Sequence, residues 1–312
     1  MTWRVVGASL LAVCCFAWYA WTEVPPPSVM SGALTRAGIG APAIALGTGY
    51  SAGADDSTVG YYNPAGLSYV PGLRIGAMYE SKFDPSLGIG FQYLSTTYRL
   101  EDLGFGAGFT FLRRTDRDIP TIGGTFDASE VLALGSVGYD LRKLIDIEML
   151  SKLALGGSLK LFSNQGFEDS RARGIGFDIG FVAQFAFNGW SAAIAVRSSD
   201  VLGSTLRWKG TLNEITETVP WGQHLGLCVA APELGLRGLA EVSLYASEPS
   251  LNTIHLGAEY TILGIALRVG VNGGTPSIGV GVGLLEWARI DFAIVFYRNL
   301  GESLVASMEF AF

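Results

Sequence analysis

Charge is scarce in this chain. Of its 312 residues 16% are charged and 49% apolar, against roughly 25% charged in an ordinary water-soluble domain, so part of the surface is expected to face something other than water. Long apolar runs are missing as well. Beyond the N-terminus no stretch of about 18 uncharged apolar residues appears, which excludes spanning helices. Lysine and arginine never form a block and the net charge is −7, so the footprint of a nucleic-acid binder is absent. Of three cysteines, Cys14 and Cys15 sit in the first 21 residues. Cys228 is then left alone, and no internal disulfide can stabilise the rest.

Residues 1–21 carry Arg4, then an uncharged run from Val5 to Trp21, followed by Pro25, Pro26 and Pro27. This is the layout of a secretory signal peptide. The cut is ambiguous: Cys15-Phe16-Ala17 satisfies the small-x-small rule, whereas a cut after Ala20 meets the bulky Trp18. A retained anchor is the alternative. The run Leu11-Ala12-Val13-Cys14 is a poor lipoprotein site, because Val13 fits badly and the apolar run before it is short.

What the chain has in abundance is glycine, 42 residues, and alternation with period two, the mark of strands with unlike faces. In 104–111, Phe105, Ala107, Phe109 and Phe111 oppose Gly104, Gly106, Gly108 and Thr110. In 176–185, Phe177, Ile179, Phe181 and Phe185 oppose Gly176, Asp178, Gly180 and Gln184. Soluble sandwiches alternate too, but three features favour a membrane barrel. The small or polar faces carry scattered charge (Arg74, Glu80, Lys160, Asp178, Glu241, Glu259, Arg268, Asp291, Glu309), with His255 as a lumen histidine, while the opposite faces carry almost none. Tyr79, Trp190, Trp208, Trp221, Tyr260, Trp287 and Tyr297 gather towards strand ends, where girdles sit. The chain also stops on an alternating strand ending Phe310-Ala311-Phe312, like the signal read by the barrel-assembly machinery.

Fourteen strands are expected, at 72–82, 86–97, 103–113, 128–140, 152–164, 173–186, 189–199, 220–230, 237–246, 252–261, 263–271, 275–285, 287–298 and 302–312. An even number suits a single-chain bacterial barrel, and lipid forbids an open edge, so the sheet must close. The fold class is therefore all-β, a transmembrane antiparallel barrel at 72–312. Asn188-Gly189 reads as a tight periplasmic turn, and 114–127 and 200–219 as outer loops. Leu141–Ser151 is long for the periplasmic side and suggests a short helix.

Residues 22–71 precede the first strand and lack clean alternation. Within them Ala54–Val70, ADDSTVGYYNPAGLSYV, crowds two carboxylates, three tyrosines and an Asn-Pro turn into seventeen residues. Asn63 can bond the backbone two residues on and Pro64 fixes the next φ.

The run Arg36-Ala37 through Asp55-Asp56 to Asn63-Pro64-Ala65-Gly66-Leu67 resembles the N-terminal hatch of FadL/TodX outer-membrane transporters, and more closely the shorter PorV/PorQ-type relatives. Leu256–Tyr260, Leu267–Gly270, Gly279–Gly283, Ile290–Ala293 and the final Phe312 resemble the C-terminal half of PorV-like proteins. The resemblance implies a barrel whose N-terminal segment plugs the lumen. Arg36, Asp55 and Asp56 would pair with lumen charges such as Arg268 or Glu259, and the Asn63 turn would hand the chain to the first strand. The plainer alternative is that these residues only cap turns and support packing. The 241 residues from 72 to 312 give about 17 per strand unit, against about 9–11 for a spanning strand. Long outer loops like those that bind greasy substrates in FadL-type proteins are thus not expected.

No enzyme, cofactor or metal site is expected. His224 and His255 lack a metal-ligand spacing, a pairing of Ser243 with His255 reads as lumen hydrogen bonding rather than hydrolysis, and Cys228 reads as small inward filler. The G-x-G run at 279–283 lies in a strand with no helix after it. The first functional reading is passage of hydrophobic small molecules through a hatch-plugged barrel. The second is a PorV-like barrel holding a secreted or surface protein on its outer loops, and a water-filled porin, against which the plug counts, comes third. Expected partners are outer-membrane lipid, the assembly machinery, and the small molecule or secreted protein.

Overall fold

A computed structural model describes residues 32–312 apart from 84–87, 122–123, 146, 168–169, 212–213 and 299. The leader read at 1–21 lies outside the described residues. The strands are β1 (Leu73–Ser81), β2 (Ile89–Leu100), β3 (Phe105–Thr121), β4 (Gly124–Asp140), β5 (Leu150–Gln165), β6 (Arg171–Phe187), β7 (Trp190–Ser199), β8 (Ser204–Lys209), β9 (Thr216–Val219), β10 (Gly222–Ala231), β11 (Leu236–Tyr245), β12 (Thr253–Ile262), β13 (Ile265–Asn272), β14 (Thr275–Leu285), β15 (Ala288–Tyr297) and β16 (Gly301–Ala311).

Fourteen of these, β1–β7 and β10–β16, form one closed antiparallel ring. It is sealed by β1 against β16, from Arg74 opposite Ala311 to Ser81 opposite Leu304. Each apolar outer face finds no water partner, so closure removes the edges that lipid could not satisfy. The lower end of the ring carries both its termini, where Leu73 N and Phe312 O lie 2.9 Å apart, and tight turns such as Asn188-Gly189. Among the described residues no helix is long and apolar enough to cross a membrane.

Two sequence expectations are corrected. The outer loop read at 114–127 is mostly strand: β3 and β4 run on as a hairpin to Thr121 and from Gly124. The loop read at 200–219 holds the β8–β9 hairpin, and β8 pairs with the upper end of β6 where β7 stops. The short helix expected at Leu141–Ser151 is there as a single 3-10 turn, Leu141–Lys143, capped by the Asp140 carboxylate on Arg142 N at 3.0 Å. Of the girdle aromatics, Tyr79, Trp190, Tyr260 and Trp287 are exposed on the outer face. Trp208 and Tyr297 instead pack against the buried inner cluster, because both fall on the inward phase of their strands.

Residues 32–71 lie inside the ring and are mostly buried. They contain two helical turns, α1 (Ala41–Ala45) and α2 (Val59–Tyr62), and 3-10 turns at Ala33–Thr35 and Pro64–Ser68.

Candidate functional site

The site is the seat of this segment in the lumen. Its lower side is built on inward glycines. A Cβ on Gly106, Gly138, Gly156 or Gly180, which stand side by side on β3–β6, would overlap the backbone or side chains of Asn63–Leu67. Across the lumen Gly257, Gly270 and Gly279 of β12–β14 would likewise overlap Ala45, Leu46 or Gly47. Two grooves of missing side chains thus let backbone lie directly on the wall.

Asn63 fixes one end. Its Oδ1 accepts from Ala65 N at 3.1 Å, while its Nδ2 donates to Ser51 O at 3.2 Å and to Phe181 O on β6 at 3.0 Å. It is buried, so unmade bonds here would cost about 1–3 kcal/mol. Pro64 opens the following 3-10 turn, where its missing N–H loses nothing. The tyrosines tie the segment to itself and to the wall. Tyr61 Oη lies 2.7 Å from Leu34 O and 2.6 Å from Ala37 O, and Tyr62 Oη donates to Ile39 O at 2.9 Å. Tyr69 Oη accepts from Leu153 N at 2.6 Å and donates to Asp140 at 2.5 Å, stapling the exit to β4 and β5.

Two ionic networks hold the segment at different heights. In mid-lumen Lys160 is 2.6 Å from Asp178 and 3.0 Å from Asp200, all three buried. Arg197, 3.6 Å from Asp178, donates to Tyr61 O at 2.9 Å. A cation thus meets the carbonyl end of α2, where the helix leaves acceptors unpaired. At the lower mouth Arg237 bridges Asp55 at 3.0 Å and Glu259 at 3.1 Å, and Arg268 bridges Glu259 at 2.6 Å and Asp291 at 2.7 Å. Ser57 N donates to Glu309 at 2.6 Å, and Arg74 holds the same carboxylate at 2.7 Å. These charges line a half-open cavity of about 370 Å³.

The expected pairing therefore needs correction: Asp55 meets Arg237, and Glu259 links that pair to Arg268. Among the described residues Asp56 takes no cation. It accepts from Thr58 N at 2.8 Å and Thr58 Oγ1 at 2.5 Å, and Tyr50 Oη is 3.4 Å away. Burial, then the charges of Glu309 and Asp55, push its carboxyl up to about 7. Arg36, predicted to join these charges, lies just after the Ala33–Thr35 turn. Pro64, Ala65 and Gly66 are brought to the wall of β3–β6, and Glu80 is inward and 3.7 Å from Lys82. Phe310 and Phe312 stack with Trp287, at centroid distances of 6.0 and 6.1 Å.

Arg197, Arg237 and Asp200 were not singled out by sequence, and Tyr69 only as one of three crowded tyrosines. Arg197 and Arg237 carried a usable signal, since each shares the inward phase of its strand with Ser199 or Glu241. Asp200 and Tyr69 lie outside the barrel strands, where no phase exists.

Ser243 Oγ lies 2.8 Å from His224 Nδ1 and 3.1 Å from His255 Nε2, and His255 Nδ1 is 2.9 Å from Gly47 O. That carbonyl can only accept, so the His255 Nδ1–H donates to it. Gly49 closes over the spot so tightly that a Cβ there would overlap those of His255 and Glu241. The arrangement seats the loop against β11 and β12. Cys228 is buried and inward, and no cluster of metal-ligating residues occurs among the described residues.

No family model matches the chain, and no curated protein is detectably similar in sequence. Solved structures do share its fold. The CymD monoaromatic hydrocarbon channel superposes with TM-score 0.57 at 12% identity, covering 88% of this chain and 98% of that one. A TodX deltaS2S3 mutant monoaromatic hydrocarbon channel gives 0.55 at 14%, with the same coverage. A Pseudomonas aeruginosa FadL homologue gives 0.52 at 11%, covering 84% and 95%.

Proposed function

We propose that the chain is an outer-membrane channel for hydrophobic small molecules, with the lumen segment as its hatch. The observation that carries this is the polarity of the lumen. Directly above the Lys160 network the wall carries an apolar layer, Leu112, Leu132, Phe162 and Leu206, nearly or fully buried beneath the inward Arg114–Glu130 pair, and the residues that complete this cluster include Leu34 and Ile39 of the segment. Apolar surface covered by a separate stretch of chain is what an apolar guest could take over. The fold shared with hydrocarbon channels supports the same reading. On it the lower end is periplasmic, 1–21 is a leader, and Phe310 and Phe312 form the assembly signal.

Holding a secreted protein would require an exposed apolar patch on the outer hairpins. Trp208 and Trp221, which flank the longer one, are both half-buried, so they do not supply it. Kinship with the shorter PorV/PorQ-type barrels rests on the motif runs alone.

The test uses a lock. A Cβ on Gly53 would stand 3.3 Å from Cys228 Sγ once the flexible end of Leu239, 2.5 Å away, turns aside, so Gly53→Cys should cross-link the segment to β10. In proteoliposomes, uptake of a monoaromatic hydrocarbon and of a long-chain fatty acid should exceed that of empty vesicles, stop in the oxidised variant and return on reduction. No uptake by the unlocked protein, or undiminished uptake by the locked one, would sink the hatch-gated channel.

A further inference from the structure

At the upper ends of β6 and β8 the outer face sets four cations in two opposed pairs, Arg171 across from Lys209 and Arg173 across from Arg207. All four are exposed. Like charges directly opposite on one sheet face repel, and among the described residues none of the four has an acidic partner within ion-pair distance, although acids outnumber bases in the chain, 28 to 21. Among the described residues four positive groups thus stand together with no acid in ion-pair range.

Their height says what compensates them. Below Arg173 the outer face of β6 turns apolar without a break, through Ile175, Phe177 and Ile179, each more than half exposed, to Phe185 beside the lower turn. Ten residues of strand cover about 33 Å, and at the usual tilt this stands about 25 Å tall, the height of a lipid-facing band. The band's upper rim is therefore Ile175, opposite Thr205, and Arg173 stands one pleat above it. That is the level of lipid headgroups. Guanidinium forks match phosphate oxygens two at a time.

We propose that Arg171, Arg173, Arg207 and Lys209 bind the phosphorylated headgroup of an outer-leaflet lipid, whose acyl chains lie against Ile175, Phe177 and Ile179. The assignment rests on the placement of the barrel in an outer membrane with β6 starting at the outer side, and does not depend on what the lumen carries.

Native mass spectrometry of the full-length protein in detergent tests it, with bisphosphorylated lipid A and its dephosphorylated form as probes. Wild type should retain the phosphorylated lipid at least about tenfold more than the other, as expected from a single charge-assisted hydrogen bond, and Arg173→Gln with Arg207→Gln should abolish the preference. Arg173→Lys with Arg207→Lys should keep part of it. Heat-modified gel migration checks that each variant is folded. Equal retention of the two lipids, or an unchanged preference in the Gln variant, would overturn the proposal. So would full displacement by millimolar inorganic phosphate, which would make this a free-anion site. Loss of a co-purifying acidic protein from the Gln variant, with lipid retention unchanged, would assign the patch to that protein instead.

Discussion

Asn63 Nδ2 lies 3.0 Å from the carbonyl oxygen of Phe181, a hydrogen bond from the turn of the lumen segment to the barrel wall. It is possible only because the neighbouring wall residue is Gly180, whose missing Cβ leaves room for the Asn63 and Pro64 side chains.

Gly180→Val should therefore lift the turn off the wall while leaving the ring closed. Overpacking of this kind costs about 1–3 kcal/mol. Limited proteolysis should cut within 45–70 in the variant and not in the wild type, with heat-modified migration of the barrel retained. Gly238→Val, on the outer face where an added Cβ meets nothing within 4 Å, is the matched control.

Arg197→Gln removes the cation shared by Tyr61 O and Asp178. Breaking a buried ionic network from one side costs about 3–5 kcal/mol, so the urea midpoint should fall well beyond that of a surface arginine variant such as Arg142→Gln. Equal midpoints would mean that the α2 carbonyls find other donors.

Asp56 gives a pH dependence of definite sign. Its carboxyl is raised to about 7 from the ordinary value near 4. Between those values the folded chain holds a proton that the unfolded chain has released, so stability falls as pH rises from about 4 to about 7 and levels off above. Asp56→Asn keeps an acceptor for Thr58 and cannot ionise. Urea titrations from pH 4 to 8 should slope less steeply in the variant, and the two proteins should differ most at pH 8. Identical slopes would place the proton elsewhere.

Arginine scanning of the outer face should report depth. Ile179→Arg, near mid-band, should cost about 2–4 kcal/mol, and Leu161→Arg, level with the rim residue Ile175, about 0–1 kcal/mol. Unfolding from phospholipid vesicles measures both. Equal costs would contradict the assigned band.

The closed all-β barrel was determined by sequence alone, because period-two alternation states which face of each strand meets lipid and which meets the lumen. Asp178, Lys160 and Glu241 all face inward as their phase required. Apolar runs with no helix-length stretch left closure as the only way to satisfy the backbone. The Asn-Pro turn was legible for the same local reason: Asn63 bonds Ala65 N within two residues. What the turn rests against was not. Gly106, Gly138, Gly156 and Gly180 are far apart in the chain and meet only through the register of four strands. Arg237 reaches Asp55 across 182 residues, and partner choice among several lumen cations depends on a geometry that strand phase does not encode. The basic pair of pairs is of the same kind. Arg171 and Lys209 look isolated in sequence, and only the handover of β6 from β7 to β8 sets them opposite each other at the lipid rim.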